Sequence, residues 1–162
     1  MSTDKLRELL FSELYIVVRS TKELLKKVTE EDFPYQPNEK MRTLLELANH
    51  LVQIPYVDLA IAQEKTEKDV RQLEKELYSN DVVKLGEVMD NGFAELTSYY
   101  KSLSEEDLLE KVTKPFYFPQ DMEGHTQAKW LIETTTHAFH HRGQFFNYLK
   151  ELGKEVNMFD LY

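Results

Sequence analysis

The chain has 162 residues, no cysteine, and a formal charge of −9 from 29 acidic and 20 basic side chains. Without cysteine there can be no disulfide, thiolate metal site or cysteine nucleophile, which fits a reducing cytoplasmic setting. The acidic balance argues against a nucleic-acid partner, since neutralising a phosphate backbone needs a basic face.

Hydrophobic residues make up 41% of the chain, enough for one packed core, so residues 1–162 read as a single domain. The N-terminal stretch MSTDKLRELLFSELYIVV carries acidic and polar residues through its apolar part and fails as a secretory signal. No run approaches the roughly 18 apolar residues of a membrane span, so no membrane association is expected. From Asp4 to Val28, Leu6, Leu9, Leu10, Leu14, Val17, Val18, Leu24, Leu25 and Val28 form a stripe of helical period, with Ser2, Thr3 or Asp4 as candidate caps. Residues 29–40 hold Pro34 and Pro37 among polar residues and read as a loop. A second helix is expected over 41–63, with Leu44, Leu47, Leu51 and Ile54 inward and Pro55 kinking it.

Residues 64–81 are crowded with charge, and Val70, Leu73 and Leu77 form only a thin apolar stripe. They read as a solvated connector with a helical piece. A third long helix is expected over 82–103, and Ser104 opens SEED, the pattern of a capping box before a short helix. The stretch KPFYFPQDMEG, 114–124, reads as an extended loop that packs its aromatics down. The last helix is expected over 126–152, roughly 40 Å long, with Gly153 as a left-handed cap. There are no internal repeats and no dividing linker. Four long helices predict an all-α protein, a four-helix bundle with a long connector between the second and third helices, their spatial order open.

The chemistry concentrates in HAFHHRGQ, 137–144. Residues four apart on a helix share a face, so His137 and His141 project one above the other from the apolar side that also carries Thr134, Ala138 and Phe145. That spacing suits two imidazoles on one metal ion. His50 sits mid-way along the second helix beside Leu47, Leu51 and Ile54. If the two helices meet, three imidazoles converge and leave a coordination position open, with nitrogens about 2.0–2.1 Å from a zinc-like ion. A lone helix-face histidine is usually a packed core residue; a pair at this spacing on a buried face is a stronger signal. His140 points about 100° away and reads as a neighbour. His125 reads as a capping residue, and Gly143 as a point where another helix comes close.

Rival chemistries are weaker. A zincin needs HExxH, and Ala138 stands where the glutamate would be. Glu46 and Glu133 lie one turn before His50 and His137 and could orient imidazoles, but the Glu-x-x-His of di-iron bundles is missing. No phosphate loop or GxSxG elbow is present.

The LANH of the second helix with its lead-in MRTLLE, the HxxHHRGQ of the fourth, and the YLKELG that follows together resemble the DinB/YfiT-like family, over essentially the whole chain. The resemblance implies a four-helix bundle that binds a divalent metal through His50, His137 and His141, often as a homodimer. Some members are metal-dependent transferases or isomerases acting with low-molecular-weight thiols. The expectation is therefore a divalent-metal protein, with zinc or nickel as the ion and a small thiol as the substrate partner: a metal-dependent thiol S-transferase. The alternative is a non-catalytic, stress-related metalloprotein whose ion staples the bundle. No catalytic residue is assigned; Gln53, Tyr56, Gln144 and Glu46 are acid–base candidates by proximity in sequence. An acidic surface repels an anionic thiol unless the mouth of the site is locally basic, and Arg142 and Lys129 are too few to assure that.

Overall fold

A computed structural model describes residues 3–162. Six helices carry most of the chain: α1 (Thr3–Leu25), α2 (Leu44–Ala62), α3 (Glu67–Leu77), α4 (Val82–Ser102), α5 (Glu105–Glu110) and α6 (Gln127–Glu151). Two-residue strands β1 (Val112–Thr113) and β2 (His125–Thr126) pair antiparallel, and single 3-10 turns lie at 30–32 and 158–160. Among the described residues no helix is long and apolar enough to cross a membrane.

Side-chain caps set the helix starts. Thr43 accepts from the Glu46 backbone while the Glu46 carboxylate returns to Thr43, so α2 begins at Leu44 and not at 41. Thr66, Asp81, Ser104 and Thr126 cap α3, α4, α5 and α6 in related ways. Of the candidate caps of α1, Ser2 lies outside the described residues, and Thr3 and Asp4 are already within the helix. α2 continues through the buried Pro55 to Ala62. Gly153 closes α6 at φ +76, with Lys154 N donating to Leu149 O at 2.9 Å and Gly153 N to Lys150 O at 3.0 Å.

The order left open by sequence is set by packing. α2 packs on α4 and α6, and α1 packs on the same two, leaving α1 opposite α2 across the bundle. Arg7 near the start of α1 donates to Tyr100 O near the end of α4, at 2.7 Å, so these helices are antiparallel. Tyr148 near the end of α6 donates to Arg42 O ahead of α2, and Gln127 at its start to Ala62 O, so α2 and α6 are antiparallel too. Asn49 meets Ser79 just before α4, while Tyr56 meets Gly92 further along, so α2 and α4 run parallel. Two consecutive parallel helices need a return segment, and residues 64–81 supply it. α3 lies along the outside of α2, burying only Val70, which fits the solvated connector read from its charge.

The interior is apolar on all four long helices, with Leu14 and Leu24, Leu51 and Ile54, Met89 and Leu96, and Phe145 and Leu149 all buried. The aromatic loop departs from expectation. Phe118 packs toward Trp130, whereas Phe116 and Tyr117 are 37% and 53% exposed.

The close helix approach expected at Gly143 is absent: a Cβ there would meet nothing within 4 Å. It occurs instead at Gly92, where a Cβ would lie 2.8 Å from Tyr56 Cδ2 and 3.2 Å from Pro55 Cβ. The two helical glycines should therefore respond oppositely to alanine. Gly92→Ala forces α2 and α4 apart and should cost about 1–3 kcal/mol. Gly143→Ala only relieves helix entropy and should add about 1 kcal/mol. In thermal unfolding this corresponds to midpoints moving by roughly 2–4 °C per kcal/mol, in opposite directions.

Candidate metal centre

The antiparallel packing of α2 on α6 brings the mid-helix His50 against the His137–His141 face. One nitrogen from each ring lies within 4.8 Å of the other two, and His50 Nε2 is 3.0 Å from His141 Nε2. The ring centroids of His50 are 4.3 Å from those of His141 and 5.3 Å from those of His137. His141 is buried, and the other two are half-buried.

The outer nitrogens have partners that set the tautomers. His137 Nδ1–H donates to Asp58 Oδ2 at 3.0 Å, and His141 Nδ1–H donates to Gln144 Oε1 at 2.7 Å. Both rings then turn a bare Nε2 inward, and His141 Nε2 accepts from His50. A carboxylate or amide on the far nitrogen is the support that metal-binding imidazoles use for orientation. The 3.0 Å between Nε2 atoms is close to the about 3.3 Å between two ligands of a tetrahedral ion with bonds near 2.0 Å. Three imidazoles gathered within 4.8 Å of one another are thus a donor set that could hold one divalent ion.

Electrostatics divide the three rings. Burial, helped by the charges of His141 and Arg42, pushes His50 down to about 3. Burial likewise lowers His141 to about 4, against the opposing hydrogen bond it donates to Gln144. Burial also works to lower His137, but the hydrogen bond and charge of Asp58 outweigh it and raise this ring above its ordinary value. Two of the rings are thus held in the neutral form that a cation needs.

The cluster opens onto a cleft of about 560 Å³. Val57 and Ile61 of α2 form one wall, Val70 of α3 a second, and Trp130 of α6 a third, with Phe116 and Tyr117 overhanging. The overhang is anchored at its neck: Thr113 donates to Ala62 O at 2.8 Å and accepts from Trp130 Nε1 at 2.9 Å. On its other side His50 borders a polar groove lined by the cations Arg42 and Lys75, by Gln53, and by Glu46 and Glu74.

Several sequence expectations are corrected here. Glu46 closes the capping box of α2 and does not orient an imidazole. Glu133 pairs with Lys129 at 2.8 Å and His125 at 3.4 Å. His125 is in β2 beside Trp130, and Thr126 is the cap of α6. Gln53 donates to Glu74 O, tying α3 to α2, and Tyr56 packs on Gly92, so of the four acid–base candidates Gln144 alone bonds to the cluster. Arg142 turns away to Ser20 Oγ at 2.9 Å and Leu161 O at 2.6 Å, anchoring the C-terminal turn. The cation facing the histidines is Arg42, whose charge acts on all three rings and which has no ion-pair partner among the described residues.

Asp58 and Arg42 were both missed in the sequence. Asp58 lies two turns after His50 and is the sole acid between Leu47 and Ala62, a signal that could have identified it. Arg42 precedes the helix, and nothing in the sequence marks it.

These protonation states predict a pH dependence of folding in the metal-free protein. Unfolded imidazoles titrate near 6.5. Because His50 and His141 are depressed in the folded state, their contribution is intact above 6.5 and is lost as pH falls toward 4 and 3. The raised His137 has the opposite sign and offsets only part of this. Melting curves at pH 7, 6 and 5 should show a falling midpoint, and His50→Gln should make the fall shallower. Parallel slopes in both proteins would assign the loss to carboxylates instead.

Comparison with known proteins agrees with this fold. A candidate DinB-family member from Exiguobacterium sibiricum has a structure similar over 100% of this chain and 99% of its own, with 24% identity and a TM-score of 0.75. A DinB-like protein from Bacillus cereus aligns over 93% of this chain and 95% of its own, at 19% identity and a TM-score of 0.69. One from Bacillus subtilis aligns over 91% and 94%, at 19% identity and a TM-score of 0.64. Among curated proteins no sequence matches the chain. The DinB family model matches residues 1–162, and the chain belongs to the DinB family.

Proposed function

We propose that His50, His137 and His141 hold one divalent ion, zinc or nickel, and that the protein transfers a low-molecular-weight thiol to an electrophile. The observation that carries this reading is the convergence of three imidazoles, two of them held by Asp58 and Gln144, beside an open cleft. A structural ion would need no such opening, whereas a catalytic one keeps a position for substrate. When bound, a divalent ion on three neutral nitrogens supplies positive charge that favours the thiolate over the thiol near neutral pH.

The chain's own residues do the rest. Asp58 and Gln144 hold His137 and His141 with Nε2 inward. Arg42 faces the cluster from the polar groove and offers a guanidinium to the anionic end of a thiol carrying a carboxylate, offsetting the repulsion of a −9 protein. Val57, Ile61 and Trp130 keep the adjoining cleft apolar, limiting competition from water. In the transfer the S–H proton leaves to solvent, a bond forms between sulfur and an electrophilic carbon, and the leaving group departs from that carbon with its electron pair.

Elemental analysis should find about one ion per chain in the native protein. His137→Ala and His141→Ala should lose it, while His140→Ala, at the exposed rim, should keep it. Asp58→Asn should weaken metal affinity about 10–100-fold. Metal-loaded protein incubated with a carboxylate-bearing thiol and an alkylating acceptor should consume thiol faster than the His137→Ala control, and Arg42→Ala should raise KM for that thiol. Stoichiometric metal with a raised melting temperature but no metal-dependent thiol consumption would replace this reading with a stapling ion.

A further inference from the structure

We infer that the aromatic cleft above the histidines is the seat of the second substrate, an uncharged molecule carrying a flat aromatic or similarly broad apolar group. As an acceptor site it rests on the thiol-transfer reading, but the binding claim stands on the cleft itself.

Volume and shape come first. About 560 Å³ falls within the roughly 300–1,000 Å³ of small-molecule sites. A two-ring aromatic would find side chains on every wall: Val57 and Ile61 from α2, Val70 from α3, Trp130 from α6, and Phe116 with Tyr117 above. Phe116 and Tyr117 stand edge to face at 5.2 Å, an arrangement that leaves ring faces for a guest. Both are substantially exposed although Phe118 beside them packs inward. The neck below them is hydrogen-bonded to α2, so the overhang is held over the cleft and not splayed into solvent.

Charge then narrows the class. Three carboxylates and one guanidinium line the cleft, and each is already engaged: Asp58 with His137, Glu133 with Lys129 and His125, and Glu74 with Arg71. No carboxylate remains to pair with a cationic guest, and Arg71, taken up by Glu74, offers no unpaired charge to an anionic one. The anionic thiol and the uncharged acceptor are thereby sorted to opposite sides of His50, which with Glu74 borders both the Arg42 groove and the aromatic cleft.

Trp130 is the single tryptophan of the chain and lines the cleft, so its fluorescence is a reporter placed at the proposed site. The test is a titration of metal-free protein with three probes that share one ring system: 2-acetonaphthone (neutral), 2-naphthoate (anionic) and naphthylmethyl-trimethylammonium (cationic). The neutral probe should quench Trp130 saturably and bind at least about tenfold more tightly than either ion. Phe116→Ala, a change at an exposed loop position, should weaken the neutral probe about tenfold without altering the melting temperature.

Absence of saturable quenching, equal binding of the anion, or tighter binding of the cation would overturn the inference. Unaltered affinity in Phe116→Ala would overturn it as well. Because metal is absent from the titration, such a failure is separate from that of the thiol reading. Binding of the neutral probe with no metal-dependent thiol consumption would instead leave an aromatic-binding cleft without the transfer.

Discussion

The packing of α2 against α6 has to satisfy two conflicting demands. A helix interface in a bundle is stable when it is apolar and dry, yet this one places three imidazoles, each with two nitrogens, in its middle. Every buried nitrogen without a partner costs free energy comparable to a lost hydrogen bond. The structure resolves the conflict by specific pairing: Asp58 takes His137, Gln144 takes His141, and His50 bonds to His141. The pairing turns Nε2 of His137 and His141 toward a common point, where a cation would take the place of the proton that His50 gives to His141. What satisfies the fold is also what makes the cluster suited to a cation.

The opposite side of the bundle supports that arrangement. α1 and α4 contribute Leu14, Leu24, Leu85, Met89 and Leu96, all fully buried, and they carry no comparable polar cluster. Such a close-packed interior deforms little, so α2 and α6 rest on a stiff foundation. Buried arginines tie its margins: Arg7 bonds to backbone oxygens at the end of α4, and Arg142 bonds to Ser20 and the C-terminal turn. The arginine inside the histidine motif therefore serves the frame and not the cluster.

Topology supplies the walls. Because α2 and α4 run parallel, the chain must return along α2, and the return helix α3 brings Val70 to the apolar cleft and Lys75 to the polar groove. The long connection before α6 brings the aromatic overhang, pinned by Thr113 to the last turn of α2. The two approaches to His50 thus differ in polarity because different connections flank it. The charge of Arg42 reaches all three rings from one side, while that of Asp58 acts on His137.

Sequence alone determined what depends on local chemistry. Helical period marked the four long helices, and the caps at Ser104 and Gly153 follow from side-chain hydrogen bonding and φ preference within a few residues. The spacing of His137 and His141 put both rings on one face, because the geometry of a helix is the same wherever it lies. The family pattern joined His50 to them before any contact was known. What only the tertiary structure decided depends on which helices meet. The order α1, α4, α2, α6 around the bundle, the close approach at Gly92 and not at Gly143, and the roles of Asp58 and Arg42 all arise between segments distant in sequence. Glu46 and Glu133 show the same limit from the other side. Both sit one turn from a histidine, yet local partners claim them first, a capping threonine for one and a lysine four residues back for the other. A side chain's sequence neighbours fix which directions it can point, but its partner is whichever group the packing of the helices brings within reach.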